Sequence, residues 1–364
     1  MLIRYLLPPE KKETFFSANL LGSFWGGLMK KRREAYGKGT LKSHDPGIPV
    51  ISVGNLSLGG NAKTPLCVLL ANILLGEGKV PAILSRGYRR KKTMDYPDPV
   101  LVSAGEGPLV PWKFAGDEPW LMARETRAMV LVSAKRKKAA LEAERLGADV
   151  LVLDDGFQHL ALARDINILC LPSDKSPGDN RVFPAGTLRE PPSALDDADL
   201  FVALGTRLHP DVERIAGTRP VFLAKKTPKA LWDPKTRKDV PPEALKNTRF
   251  CAFCGIADPD SFRDHLESLS LEPVAFKAYP DHTPYDGTER DFLKTLPRFA
   301  RSEFLVTTSK DAVKLADAGL PLLVLKTELE PSDPAAFRRE ILDRLEKARA
   351  RKAAKAKVPP PGDA

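Results

Sequence analysis

From about Pro49 the chain alternates short, β-branched apolar runs with segments whose apolar residues recur at helical spacing. That alternation is the pattern of parallel strands joined by crossover helices. It predicts strands at residues 50–53, 82–85, 130–133, 149–153, 166–170, 200–203 and 221–224, and so a doubly wound α/β domain over 46–224. Residues 225–248 are rich in Lys and Pro without a sustained period, and they read as a linker or irregular hairpin. A second alternation follows, with strands near 250–253, 273–276, 304–307 and 322–325 and helices starting near Asp258, Thr288 and Lys310. This predicts a smaller α/β lobe over 249–345. The last segment, 346–364, is mostly Ala, Lys and Arg ending in three prolines; it lacks the apolar residues for a core and is expected to be a frayed helix and disordered tail.

Ahead of the first strand, residues 1–45 form a separate region. Pro8-Pro9-Glu10-Lys11-Lys12 interrupts the first apolar run, so the start does not read as a secretory signal. Residues 15–29 are too few to span a bilayer, which needs roughly 20 apolar residues. Within them Phe16, Leu20, Leu21, Phe24, Trp25 and Leu28 recur at helical spacing, and Lys30-Lys31-Arg32-Arg33 follows at once. Two readings fit: a helix packed on the body, or one lying in a membrane interface. Trp25 and the basic cluster favour the interface.

The 364 residues carry a formal net charge of +10, and its distribution matters more than its size. Residues 1–45 hold nine Lys or Arg against four Asp or Glu, and Arg344 onward seven against two, so each end contributes +5 and the middle is neutral. That argues against a nucleic-acid groove on the globular body and for basic ends that meet an anionic membrane surface. Four cysteines in so long a chain do not form a disulfide framework. Cys251-Ala-Phe-Cys254 has redox or zinc spacing but lacks a second pair, and alternation along a strand explains it equally.

The chemistry concentrates after the first strand. Val50-Ile51-Ser52-Val53 runs into Gly54-Asn55-Leu56-Ser57-Leu58-Gly59-Gly60-Asn61-Ala62-Lys63-Thr64, and Pro65 opens an apolar helix. Strand, Gly-rich loop, Lys-Thr, helix is the context of a phosphate-binding loop. Backbone N–H groups of residues 57–62 can converge on phosphate, Lys63 reaches the outer phosphates, and the Thr64 hydroxyl can hold magnesium. Two positions depart from the usual pattern: Ser57 stands at the first glycine and Ala62 at the second. A positive φ at Ala62 would carry strain that glycine avoids. Such a loop also needs a carboxylate at the end of a neighbouring strand, and 149–153 ends in Asp154-Asp155-Gly156-Phe157-Gln158-His159. Thr308-Ser309-Lys310-Asp311 does not match the guanine-reading N-K-x-D pattern, so ATP is expected rather than GTP. Arg86 and Arg136 follow strands at the edge where ligands of α/β sheets bind, where either could contact phosphate.

These blocks together resemble the tetraacyldisaccharide 4′-kinases of lipid A biosynthesis. The resemblance rests on an ordered set: Val53-Gly54-Asn55-Leu56, Ser85-Arg86-Gly87-Tyr88, Gly116-Asp117-Glu118-Pro119, Asp154 to His159, Gly186-Thr187-Leu188-Arg189-Glu190-Pro191, Gly255-Ile256, Asp281-His282 and Thr307-Thr-Ser-Lys-Asp311. It implies a P-loop kinase fold and transfer of the ATP γ-phosphate to the 4′-hydroxyl of a tetraacylated disaccharide 1-phosphate at the cytoplasmic face of the inner membrane, with Mg²⁺. By the same resemblance Asp117 accepts the hydroxyl proton, with His282 reaching it from the second lobe when the lobes close. Arg189 and Glu190 lie near nucleotide and metal, with Thr64, Asp154 and Asp155 as further metal ligands. Arg86, Arg136 and Gln158 are the candidate substrate contacts. Read on their own, Asp117 could equally be a helix N-cap and His282 a loop residue. A kinase of a soluble sugar or nucleoside, or a nucleotide-dependent membrane switch, would carry the same phosphate loop.

Overall fold

The computed structural model describes residues 9–57, 62–174, 176, 181–315 and 318–356. By internal contacts the chain divides into two compact units: Met1–Arg86 with Ser133–Lys225 and Pro331–Ala364, and Gly87–Val132 with Lys226–Glu330. This differs from the sequence partition. Residues 87–132 group with the smaller unit although the chain leaves and re-enters the larger one around them, and the C-terminal helix returns to the larger unit.

In the larger unit, parallel strands lie in the order Val221–Asp233 (through its first residues), Leu200–Leu204, Ile166–Pro172, Val50–Gly54, Val150–Leu153, Pro81–Ser85. The runs are buried along nearly their whole length, as strands covered on both faces must be. From Val50–Gly54 the chain goes to one side, by way of Pro81–Ser85 and Val150–Leu153, and only later to the other through Ile166–Pro172. The crevice beyond the carboxyl ends at that reversal is where open α/β sheets bind ligands. The helix Lys63–Gly76 buries Leu66, Cys67, Leu70, Ala71 and Leu74 at helical spacing. Gly54 is needed where the phosphate-loop strand passes the Asp155–Phe157 turn, since a Cβ there would sit 2.4 Å from Phe157 Cβ.

The C-terminal helix Pro334–Ala356 lies on this unit and is not a free tail up to its last described residue. Phe337, Ile341, Leu345 and Ala348 form its buried stripe. Its cations meet carboxylates that stand just before strands: Arg349 with Asp149 at 2.9 Å, Lys352 with Asp165 at 3.2 Å, and Arg344 with Asp199 at 3.5 Å. Lys352 and Lys355 also pair with Asp45, and Arg338 with Glu77. Most of the C-terminal positive charge is therefore neutralised at the end of the sheet opposite the phosphate loop. Residues 357–364 lie outside the described residues.

The smaller unit carries parallel strands in the order Ala275–Ala278, Phe250–Cys254, Phe304–Thr308, Leu322–Pro331. Cys251 and Cys254 face opposite sides of their strand and enter separate core clusters, as alternation requires. Residues 225–248 form a hairpin, with Lys238–Val240 antiparallel to the end of the long strand Val221–Asp233. The inserted segment adds an antiparallel pair, Val100–Ala104 with Met129–Val132, and the helix Asp117–Glu125. That helix touches the short helix Ser309–Ala312.

Candidate active site

The nucleotide half-site is built on consecutive strand ends of the larger unit. Leu58, Gly59, Gly60 and Asn61 lie outside the described residues; Ser57, Ala62, Lys63 and Thr64 are described. Ala62 caps the helix Lys63–Gly76 in the left-handed region, with φ 49° and ψ 30°. The strain expected at this glycine position is therefore present, and it aims the first turn of the helix. Lys63 Nζ donates to Asn55 Oδ1 at 3.0 Å and lies 3.3 Å from Asp155 Oδ1. One Arg189 nitrogen reaches both Asp155 oxygens, at 2.9 and 2.8 Å. Asp155, also left-handed at φ 50°, is thus flanked by two cations. Burial pushes its carboxyl pKa up, but Lys63 and Arg189 outweigh that and hold it below the ordinary carboxylate value.

Asp154 is turned the other way. It is buried, and its Oδ2 accepts from Ser85 Oγ at 2.8 Å. Gln158 Nε2 donates to the Asn55 carbonyl at 3.0 Å, tying the two loops together. Among the described residues no three His, Cys, Asp or Glu side chains converge as a metal cluster. The Thr64 hydroxyl and the adjacent carboxylates of Asp154 and Asp155 are nevertheless hard oxygen donors, and Mg²⁺ in such sites takes one or two carboxylates and fills its shell with phosphate and water. The donor set fits magnesium.

Glu190, expected at the metal, has a different partner. It is almost fully buried and pairs with Arg33, which also binds Asp197 and lies 4.9 Å over the Phe157 ring. The consecutive residues Arg189 and Glu190 therefore engage different partners, Arg189 the Asp155 carboxylate and Glu190 the N-terminal helix Pro9–Gly37. The basic cluster divides likewise: Arg32 donates to the Gln158 carbonyl at 3.2 Å and Arg33 is held inside, while Lys30 and Lys31 are exposed. On the same helix Leu20, Leu21, Phe24, Trp25 and Leu28 are exposed, Phe24 at 72%. Gly22 and Gly26 instead pack toward Val182 and Pro191. No helix among the described residues is long and apolar enough to cross a membrane.

Arg136 is 3% exposed at the start of its helix and donates to the carbonyls of Ser133 (3.0 Å) and Asp154 (3.3 Å), leaving Nε without a partner. Burial lowers its guanidinium to about 10. Arg86 is exposed. Burial, with Arg136, Arg32, Arg164 and Arg86 nearby, depresses His159 to about 4. This is a concentration of positive charge suited to an anion.

Asp117 and His282, the candidate base and its partner, both lie within the smaller unit. Gly116, at φ 95°, caps the helix Asp117–Glu125, and a Cβ there would meet Gly87 Cα and the Tyr88 carbonyl at 3.3 Å. Asp117 is the first helical residue, not the cap. His282 Nδ1 lies 3.4 Å from Asp117 Oδ2 although 165 residues separate them. Both residues belong to one unit, so their contact needs no closure of lobes. His282 is left-handed, φ 63°, an uncommon conformation that recurs at functional sites and aims the ring. Lys314, absent from the sequence expectations, lies 3.1 Å from the same Asp117 oxygen with its side chain 2% exposed. Its signal was available: a lysine within the apolar run Ala312-Val313-Lys314-Leu315.

A family model described as tetraacyldisaccharide-1-P 4′-kinase matches residues 17–346. This chain belongs to the tetraacyldisaccharide 4′-kinase family. Relatives named tetraacyldisaccharide 4′-kinase include that of Syntrophus aciditrophicus, 39% identical over 86% of this chain and 88% of its own length. That of Desulfotalea psychrophila is 36% identical over 84% and 90%. A crystal structure of LpxK from Aquifex aeolicus in complex with ATP is 34% identical, covers 89% of this chain and 97% of its own, and superposes with a TM-score of 0.73. Membership of the family accounts for a P-loop kinase fold and a second α/β unit in one chain.

Proposed function

We propose that this kinase transfers the γ-phosphate of ATP to the 4′-hydroxyl of a tetraacylated disaccharide 1-phosphate. The observation that carries the reading is the Asp117–His282 contact in a chain whose other unit holds the Lys63–Asp155–Arg189 cluster beside a phosphate loop. A sugar hydroxyl is too weak an acid to ionise at neutral pH. Asp117 accepts its proton as the oxygen bonds to the γ-phosphorus and the bond to the ADP oxygen breaks. Lys63 and Arg189 balance negative charge spread over the phosphoryl oxygens, and the backbone of residues 57–62 cradles the triphosphate. Magnesium, held by Thr64 with Asp154 or Asp155, supplies further charge neutralisation when bound. Arg86, exposed and with the buried Arg136 adding to its field, offers positive charge to an anionic group of the acceptor.

The exposed stripe of Leu20, Leu21, Phe24, Trp25 and Leu28, followed by Lys30 and Lys31, supports a peripheral or monotopic enzyme at the cytoplasmic face of the inner membrane. The decisive experiment incubates the purified chain with ATP, Mg²⁺ and tetraacyldisaccharide 1-phosphate in detergent and looks for the bisphosphorylated lipid. Absence of product beside an active relative as control overturns the reading. A soluble sugar or nucleoside taken in preference would favour the rival kinase.

A further inference from the structure

Two lysines of the segment after Thr307 remain unused by the phosphate chemistry. Lys310 lies in the short helix Ser309–Ala312 and Lys314 in the turn after it, and both reach the Asp117–His282 pair. Lys310 Nζ lies 3.3 Å from His282 Nε2 and donates to Asp281 Oδ1 at 3.1 Å. Lys314 Nζ donates to the Thr283 carbonyl at 2.9 Å, pairs with Asp117 Oδ2 and lies 5.9 Å from the Tyr285 ring centroid. Burying an ammonium this deeply is costly without an opposite charge, and Asp117 supplies it.

These contacts fix a hydrogen. An ammonium only donates, so Nε2 beside Lys310 offers its lone pair and the ring hydrogen sits on Nδ1, facing Asp117 Oδ2. Asp281 Oδ2, 3.8 Å from Nε2, is beyond hydrogen-bond range. Asp117 Oδ2 thus receives His282 and Lys314 together, and Oδ1 is engaged by neither.

We propose that Lys310 and Lys314 are positioning residues of the acceptor half-site: Lys310 holds His282 in its Nδ1–H tautomer, Lys314 holds Asp117 Oδ2, and Oδ1 is left to take the hydroxyl proton. The inference rests on the phosphotransfer reading above. The charged and titratable groups that meet Asp117 are His282 and Lys314; behind them stand Lys310 with Asp281 and Glu118, and Asp311 with Tyr285. Burial pushes Asp117 up, but the His282 hydrogen bond and the Lys314 charge outweigh it and hold the carboxyl below its ordinary value. Asp117 is therefore ionised throughout the neutral range. Losing the Lys314 charge raises its pKa, so the acid limb of kcat moves to higher pH.

The test uses the full chain and two readouts. Nitrogen-15 spectra of the His282 ring, assigned against His282→Gln, should give the Nδ1–H tautomer in wild type, its loss in Lys310→Met and its retention in Lys310→Arg. In Lys314→Met and Lys314→Gln the acid limb of kcat should rise by about one pH unit or more, with ATP affinity unchanged as the check on folding. An Nε2–H ring in wild type overturns the Lys310 role, and an unmoved acid limb in Lys314 variants that still bind ATP overturns the Lys314 role. Should both Lys314 variants unfold, the tautomer decides the proposal. Should wild type phosphorylate no acceptor, the functional reading fails while the spectra still decide the positioning of His282.

Discussion

The nucleotide half-site stands on the ends of adjacent parallel strands, where Lys63, Asp155 and Arg189 meet beside a hydrogen-bonded ladder. The acceptor half-site gathers Asp117, His282, Lys310 and Lys314 from three segments and depends on unusual backbone at Gly116 and His282. The first is specified by a nearly contiguous motif, the second by the tertiary fold of its unit. Phosphate binding therefore survives changes elsewhere that keep the strand ends in place. Proton acceptance is exposed to any change that shifts a loop, since a misplacement of about 1 Å can cost about 10²-fold in rate.

The largest expected effect is on the acceptor side. Asp117→Asn keeps shape and removes the proposed base, so kcat should fall about 10²- to 10⁴-fold with ATP affinity nearly intact. His282→Ala should act in the same direction, and the double variant should be far less impaired than the product of the single effects, because groups acting as a unit are non-additive. Fully multiplicative losses would separate the two residues into independent roles. On the nucleotide side, Lys63→Ala removes a charge aimed at the transferring phosphoryl group and should lower kcat about 10²- to 10³-fold. It should also weaken ATP binding, which Asp117→Asn should not; equal effects of the two changes on ATP affinity would erase the distinction between the halves.

What was legible in the sequence follows the same division. The strand, loop, Lys-Thr and Asp154-Asp155 are local patterns, and the structure adds that Lys63 lies beside Asp155. Arg189 was reached only through family resemblance, because nothing in its own surroundings points 34 residues back to Asp155. Glu190 was given to the metal through the same resemblance, and its pairing with Arg33, 157 residues back, had no local signal. The C-terminal helix was misread for a related reason. Its apolar stripe is thin and its cations look solvated until Asp149 and Asp165, far back in the chain, are seen to meet them. Pairing across such distances leaves no local trace.

The N-terminal helix, the proposed anchor, is also fastened to the larger unit, through Arg33 on Glu190 and Arg32 on the Gln158 carbonyl. Deleting residues 1–29 should release the protein from anionic vesicles and leave ATP binding unchanged. Arg33→Ala should instead leave Glu190 buried without its cation, destabilising the larger unit by about 3 kcal/mol. A thermal melt reads this as a drop of several degrees, and an unchanged melting temperature would return Arg33 to a surface role. A smaller effect is expected with pH. His159 is held down to about 4, so between its unfolded value near 6.5 and that value the unfolded chain binds the extra proton. Stability should fall as pH drops through this window. After allowance for partial exposure the loss is about 1–2 kcal/mol, and His159→Gln should flatten the decline; an equal slope in the variant would assign it to other groups.

The smallest effect tests one of the two departures from the usual phosphate loop, Ala62. Ala62 sits at φ 49°, where an L-residue meets its following carbonyl at a cost of about 1–2 kcal/mol that glycine avoids. Ala62→Gly should relieve that strain, though glycine also widens the unfolded ensemble by roughly 0.4–1 kcal/mol. The two terms oppose, and the net gain should lie between about zero and about 1.6 kcal/mol, with kcat and ATP affinity within about twofold of wild type. The comparison with Lys63→Ala carries the point: neighbouring positions differ in consequence because one supplies charge to the phosphate and the other only a bend in the chain. A severe loss of ATP binding in Ala62→Gly would mean that the rigidity of alanine, and not merely its φ, shapes the loop.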